Sequence, residues 1–174
     1  METEEDIKLE DQIFIDKMEK EKIIEKVADI KHVNFTIEIL DGCTMPKKAH
    51  PTDAAYDLFS RKEIILYPGE IKVVPVGFKL GMQDGWKANI LPRSGFTLST
   101  RILIGNSPGT IDAHYRKEVG VIMFNLGIEE FVIHQDDRVA QMDFQKVYNI
   151  GLIPVDKIHT EPNSRFGGFG STGV

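Results

Sequence analysis

Residues 62–81 read KEIILYPGEIKVVPVGFKLG, and this stretch decides the fold. Its short apolar runs are broken by Pro68-Gly69 and closed by Gly81, while Val74, Val76, Phe78 and Leu80 recur at every second position. A period of two places side chains on one face of an extended strand. The Pro-Gly pair is a turn signal. The stretch is therefore expected to form short strands joined by turns, with one face packed inward.

The same pattern extends in both directions. Phe35, Ile37 and Ile39 alternate in FTIEI, and Trp86, Ala88 and Ile90 alternate in GWKANILP. Further strand candidates are VGVIMFNL, EEFVIH and RVAQMDFQKV, separated by Gly, Pro, Asn and Asp. No long helix is expected after residue 32, and no internal repeat occurs. Many short strands with turn signals imply an all-β sandwich or small barrel over residues 33–160. The tail, residues 161–174, turns polar and glycine-rich and is expected to leave the core as an arm. Residues 1–32 differ again. DQIFIDKMEKEKIIEKVADIKH is rich in Glu, Lys and Ile, and Phe14, Met18, Ile23, Val27 and Ile30 form a rough apolar stripe. That stretch reads as a helical or partly ordered N-terminal extension.

Composition narrows the class. A chain of 174 residues suits one core with a short extension. Its net charge of -6 argues against broad binding to nucleic acid or anionic membrane. No apolar run is long enough to cross a bilayer, and the start, METEEDIKLEDQ, lacks the features of a secretory signal. The single cysteine, Cys43, makes neither an internal disulfide nor a multi-cysteine zinc site. A cytoplasmic or otherwise intracellular soluble protein is expected.

Five polar islands interrupt the strands. In TDAAYDL (52–58), Asp53 and Asp57 could hold a hard cation directly or through water, or serve only as turn residues. In PRSG (92–95), the Arg93 guanidinium, the Ser94 hydroxyl and the Gly95 N–H suit phosphate oxygens, although a plain turn would look the same. The third island, GNSPGTIDAHYR (105–116), is expected to be a loop or hairpin. There Asn106 offers an amide edge for a pyrimidine, Gly109 a turn that could pair with a base, Asp112 an acceptor for activating water, and Tyr115 a flat ring to pack under a sugar. In DDRVAQ (136–141), Arg138 and Asp137 could form an ion pair that fixes a turn, and Gln141 would share a strand face with Val139. The fifth island, RFGGFGSTG (165–173), offers a phosphate nest of backbone N–H groups with Ser171 and Thr172, a ring for stacking in Phe169 and a cation in Arg165. It is not a Walker-type loop, because no Gly-Lys-Ser/Thr run follows a strand.

In this order the islands resemble the trimeric dUTP pyrophosphatase (dUTPase) family. AAYDLFS resembles its first motif, PRSG its second, NSPGTIDAHYR its third, DDRVAQM its fourth and GGFGSTG its fifth. The resemblance covers about residues 35–174 and leaves the N-terminal extension without a counterpart. It implies a distorted jelly-roll-like β-barrel that forms a homotrimer, with each active site drawing on all three subunits. It also implies Mg²⁺-dependent hydrolysis of dUTP to dUMP and diphosphate by water attack at the α-phosphorus. Carried over, Asp57 would hold Mg²⁺ through its water shell, and Ser94 and Gly95 would contact the phosphates with Arg93 in support. Asn106 and the backbone of Gly109, Thr110 and Ile111 would read uracil. Tyr115 would exclude a 2′-hydroxyl, Asp112 would activate water, and Gln141 would reach the phosphate network. Phe169 would cover the base, while Gly170, Ser171, Thr172 and Arg165 would hold the terminal phosphate.

The departures are Ala55, Lys117 and Asp136 where the family commonly has Gly, His114 where an acidic residue is common, and Arg165 one residue closer to the Gly-Gly-Phe-Gly run. Rival readings are a dCTP deaminase or a bifunctional dCTP deaminase/dUTPase, a catalytically weak regulatory module on the same fold, and a β-sandwich binding domain that takes no nucleotide.

Overall fold

The computed structural model describes residues 33–162. The N-terminal extension and the arm beyond residue 162 lie outside the described residues. In chain order the elements are β1 (Thr36–Ile39), β2 (Tyr56–Phe59), β3 (Ile64–Leu66), β4 (Ile71–Pro75), β5 (Phe78–Gly81), β6 (Trp86–Leu91), helix α1 (Ser94–Thr100), β7 (Ile102–Ile104), β8 (Gly109–Asp112), β9 (Gly120–Asn125), β10 (Phe131–Ile133) and β11 (Arg138–Lys146). The all-β class expected from the alternation is the one observed.

Among the described residues, four antiparallel sheets wrap one core. The largest runs β2-β11-β6-β8, a second runs β4-β9-β7, and β1-β5 and β10-β3 are pairs. The 62–81 stretch shows how the wrapping arises. Val74, Val76, Phe78 and Leu80 are all buried, yet β4 pairs with β9 while β5 pairs with β1. The chain therefore changes sheets between them, at Gly77. That residue has φ +71°, and a Cβ there would lie 2.5 Å from the Cys43 side chain, so only glycine fits. Leu58, Ile102, Met123 and Val139 complete the centre from the other sheets.

Helix α1 is the element the sequence pattern did not signal. SGFTLST contains no strong helix former except Leu, and the Ser99 and Thr100 hydroxyls turn back onto the carbonyls of Gly95 and Phe96. Tertiary packing holds it instead. Phe96 meets Phe131 edge to face with ring centres 5.8 Å apart.

Candidate active site

A cleft of about 440 Å³ opens at one end of the four-stranded sheet. Asp57, Arg93, Ser94, Gly95, Arg138 and Gln141 all line it, so the first, second and fourth islands meet there. Strand register explains the convergence. Gln141 on β11 lies opposite Asp57 on β2 and opposite Leu91 on β6, directly before the Pro92-Arg93 turn. Gln141 Nε2 donates to the Pro92 carbonyl at 2.9 Å, tying that turn to the sheet.

A bulge supplies the remaining cation. The β2–β11 register shifts between Arg138, opposite Phe59, and Ala140, opposite Leu58. Strict alternation back from Gln141 would turn Val139 outward and Arg138 into the core. The extra residue reverses this. Val139 and Ala140 are both buried, and Arg138 reaches the same face as Asp57. Two expectations are corrected here. Gln141 does not share a face with Val139, and Arg138 pairs with Asp57, not with Asp137. The Asp137 carboxylate instead accepts the His134 N–H at 2.8 Å.

Asp57 is consequently held from two sides. Arg93 Nε lies 2.8 Å from its Oδ1, and Arg138 Nη1 lies 3.3 Å from its Oδ2. Arg93 Nη1 also donates to the Arg138 carbonyl at 2.8 Å, which locks the three residues together. The carboxylate is only 15% exposed, so these charge-assisted contacts are weakly screened. The trio carries a net positive charge beside the Ser94 hydroxyl and Gly95. A Cβ built at Gly95 would meet nothing within 4 Å, so that backbone faces open space. Asp53, the other carboxylate of the first island, caps a turn by accepting the His50 N–H at 2.8 Å.

The third island is not a loop throughout. Gly109–Asp112 is strand β8, paired with β6 so that Gly109 lies opposite Ile90 and Asp112 opposite Lys87. A Cβ at Gly109 would come within 3.3 Å of the Asn106 amide nitrogen, so the missing side chain is what lets that amide lie against the strand. Asp112 and Asn106 are exposed. Thr110 is exposed and Ile111 half-buried. Tyr115 Oη donates to the Glu118 carbonyl at 3.1 Å. None of Asn106, Gly109, Thr110, Ile111, Asp112 or Tyr115 lines the Asp57 cleft. Arg165, Phe169, Gly170, Ser171 and Thr172 lie outside the described residues.

Arg138 and Asp143 also line the cleft, and neither stood out as a site residue in the sequence. Arg138 carried no usable signal, because its position depends on the bulge. Asp143 alternates with Gln141 and Gln145 on β11, so in the sequence it looked like one more polar residue of a half-exposed strand. Its Oδ1 accepts from Asn89 Nδ2 at 2.8 Å.

Comparison with known proteins places this geometry in context. The sequence model of the dUTPase family matches residues 41–173. A deoxyuridine 5′-triphosphate nucleotidohydrolase from Alkaliphilus metalliredigens is 41% identical over 130 residues, covering 75% of this chain and 90% of its own. Among solved structures, Staphylococcus bacteriophage 80alpha dUTPase with dUPNHPP superposes with a TM-score of 0.76 at 23% identity, covering 82% of this chain and 100% of its own. The dUTPase of phage phi11 of S. aureus, in a variant that shows coordination of a structural Mg(II) ion, superposes with a TM-score of 0.69 at 22% identity, covering 74% of this chain and all of its own. At these identities the structural likenesses show the fold.

Proposed function

This chain belongs to the dUTPase family, and on that premise we propose that it hydrolyses dUTP to dUMP and diphosphate with water as the nucleophile. The observation that carries the reading is the Asp57 cleft. Arg138 and Asp57, 81 residues apart in sequence, meet there with the PRSG turn in a polar pocket whose two arginines stand beside the Ser94 hydroxyl and Gly95. Arginine, hydroxyl and N–H donors gathered in one cleft suit the oxygens of a triphosphate.

The roles follow from chemistry. Ser94 and the Gly95 N–H bind phosphate oxygens, and Arg93 holds the turn that presents them. Both Asp57 oxygens already accept from arginine. Among the described residues no group of three or more His, Cys, Asp or Glu side chains could hold a metal. This donor set suits a Mg²⁺ held chiefly by phosphate oxygens and water, with Asp57 hydrogen-bonded to that water. Bound there, Mg²⁺ supplies charge stabilisation for the leaving diphosphate. Asn106 and the backbone of Gly109, Thr110 and Ile111 pair with uracil. A backbone donor facing the uracil carbonyl is left unpaired by the amino group of cytosine, which rejects it. Asp112 accepts a proton from the attacking water. Gln141 steadies the turn and reaches the phosphate network. The arm, through Phe169, Gly170, Ser171, Thr172 and Arg165, closes over the base and terminal phosphate.

We assign the base-reading half and the phosphate half of each site to different copies in a homotrimer. Two features support this. The β8 residues do not line the Asp57 cleft of their own chain. In addition, the segment after β11 carries exposed Tyr148, Ile150, Leu152, Ile153, Val155 and Ile158, while Phe35, Trp86 and Phe144 line an open apolar groove of about 360 Å³. Apolar surface on this scale is usually covered by a partner.

The test is diphosphate release from dUTP, dCTP, UTP and dTTP, with and without Mg²⁺. Turnover of dUTP alone is expected, and only with the metal. Deoxyuridine products from dCTP would instead indicate a deaminase.

A further inference from the structure

Tyr115 is anchored by a residue the dUTPase reading leaves without a role. Its hydroxyl donates to the backbone carbonyl of Glu118, and its N–H donates to the Asp112 carbonyl at 3.1 Å. The ring orientation therefore depends on where Glu118 is held. The Glu118 carboxylate is fixed twice. Oε1 accepts the Gly77 N–H at 3.0 Å, and Oε2 pairs with Arg61 Nη1 at 2.9 Å. Gly77 itself is buried, with the Cys43 side chain packed where a Cβ would lie. Among the described residues its N–H has no other acceptor, so losing the Glu118 carboxylate would leave a buried donor unpaired. Arg61 is tied in turn, through its own N–H, to the Pro75 carbonyl at 2.9 Å. The Arg61–Glu118–Gly77 contacts thus brace the turn between β8 and β9 against the sheet switch between β4 and β5.

We propose that Glu118, braced by Arg61, is a positioning residue that sets the Tyr115 ring and so controls discrimination between deoxyribose and ribose. This rests on the reading of Tyr115 as the wall beneath the sugar. Removing the Glu118 carboxylate leaves the Glu118–Val119 peptide held from one side alone, by the Val119 N–H on the Phe78 carbonyl at 2.9 Å, and so loosens the acceptor of the Tyr115 hydroxyl. The ring can then tilt, and a 2′-hydroxyl gains room. A sub-ångström change of wall position is enough to alter selectivity, because close steric exclusion varies steeply with distance.

The test compares kcat/KM for dUTP and UTP in the full chain, for Glu118→Ala, Glu118→Gln, Arg61→Ala and Tyr115→Phe. Glu118→Ala should lower the dUTP:UTP ratio by about tenfold. Glu118→Gln, which still accepts the Gly77 N–H, should recover most of it, and Arg61→Ala should fall between. Adding Tyr115→Phe to Glu118→Ala should lower the ratio no further, because both act through one contact. A ratio unchanged in Glu118→Ala and Arg61→Ala, with only the melting temperature lowered, would overturn the proposal. Arg61→Ala keeps the buried Gly77 contact, so it remains informative if Glu118→Ala folds poorly. Absence of dUTP turnover in the unmodified chain would instead defeat the underlying reading of the site.

Discussion

Arg138 Nη1 lies 3.3 Å from Asp57 Oδ2 because one extra residue in β11 turns the arginine out of the core. Arg93 holds the other carboxylate oxygen at 2.8 Å. Asp57 is thereby oriented between two arginines at the edge of the cleft.

Replacing Arg138 with alanine should leave the fold intact but free one side of Asp57. Its side chain is 52% exposed, so little stability is at stake. Turnover of dUTP is expected to fall by about tenfold or more, since misplacement of a binding group costs rate steeply. Diphosphate release measured beside thermal unfolding separates the two effects. A large loss of stability with normal turnover of the remaining folded enzyme would contradict the assignment.

Gly95→Ala should separate stability from activity in the opposite sense. Gly95 lies within α1 and its missing Cβ meets nothing, so alanine should stabilise the helix by about 0.5 kcal/mol or more. The methyl group would project into the space assigned to phosphate. Urea unfolding should show a higher midpoint, and KM for dUTP should rise.

Among the described residues, two that are not glycine sit in the left-handed region, Arg101 at φ 59° and Asp136 at φ 65°. Arg101 ends α1, where glycine is the residue best suited. Arg101→Gly is expected to raise stability by about 1 kcal/mol with no change in turnover. Asp136 stands where the family commonly has glycine, and its φ supplies the physical reason. Here the Asp136 carboxylate also accepts the Thr44 hydroxyl at 2.7 Å. Asp136→Gly should therefore gain less than Arg101→Gly, because relief of strain is offset by that lost bond. The order of the two urea midpoints checks this.

Glu70 offers a pH-dependent contrast away from the site. The Lys72 ammonium and the Tyr67 N–H both bond its carboxylate and lower its pKa below the usual carboxylate value. A lowered folded-state pKa contributes stability above the unfolded value, and that contribution is lost as pH falls through the folded value. Glu70→Gln should melt earlier than the unmodified chain near neutral pH, and the gap should close in acid. A gap that persisted or widened in acid would reverse the sign of this account.

Much of the architecture was legible because burial imposes a period of two. Val74, Val76, Phe78 and Leu80, and Ala88 with Ile90, are buried as their spacing required. Three features were not legible, each for a physical reason. The β11 bulge adds one residue without changing composition, so Arg138 appeared to pair locally with Asp137. The α1 helix relies on the Phe96–Phe131 contact and not on its own propensity. Strand pairing is non-local, so β8 beside β6 could not be read from GTID. The short motifs were readable as a set, but their division between the cleft and β8 emerges only from the sheet order.

That division is the central claim and can be tested by complementation. Asp57→Asn should disable the phosphate half and Asp112→Asn should disable water activation, with nucleotide still bound in the latter. Unfolded together in equal amounts and refolded, the two variants should form mixed trimers. If each site pairs Asp57 of one copy with Asp112 of a neighbour, about a quarter of the sites will be intact, from random pairing around a closed ring. The expected result is dUTP hydrolysis recovered toward that fraction in the mixture, while each variant refolded alone stays inactive. A mixture as inactive as its components would contradict a site shared between copies.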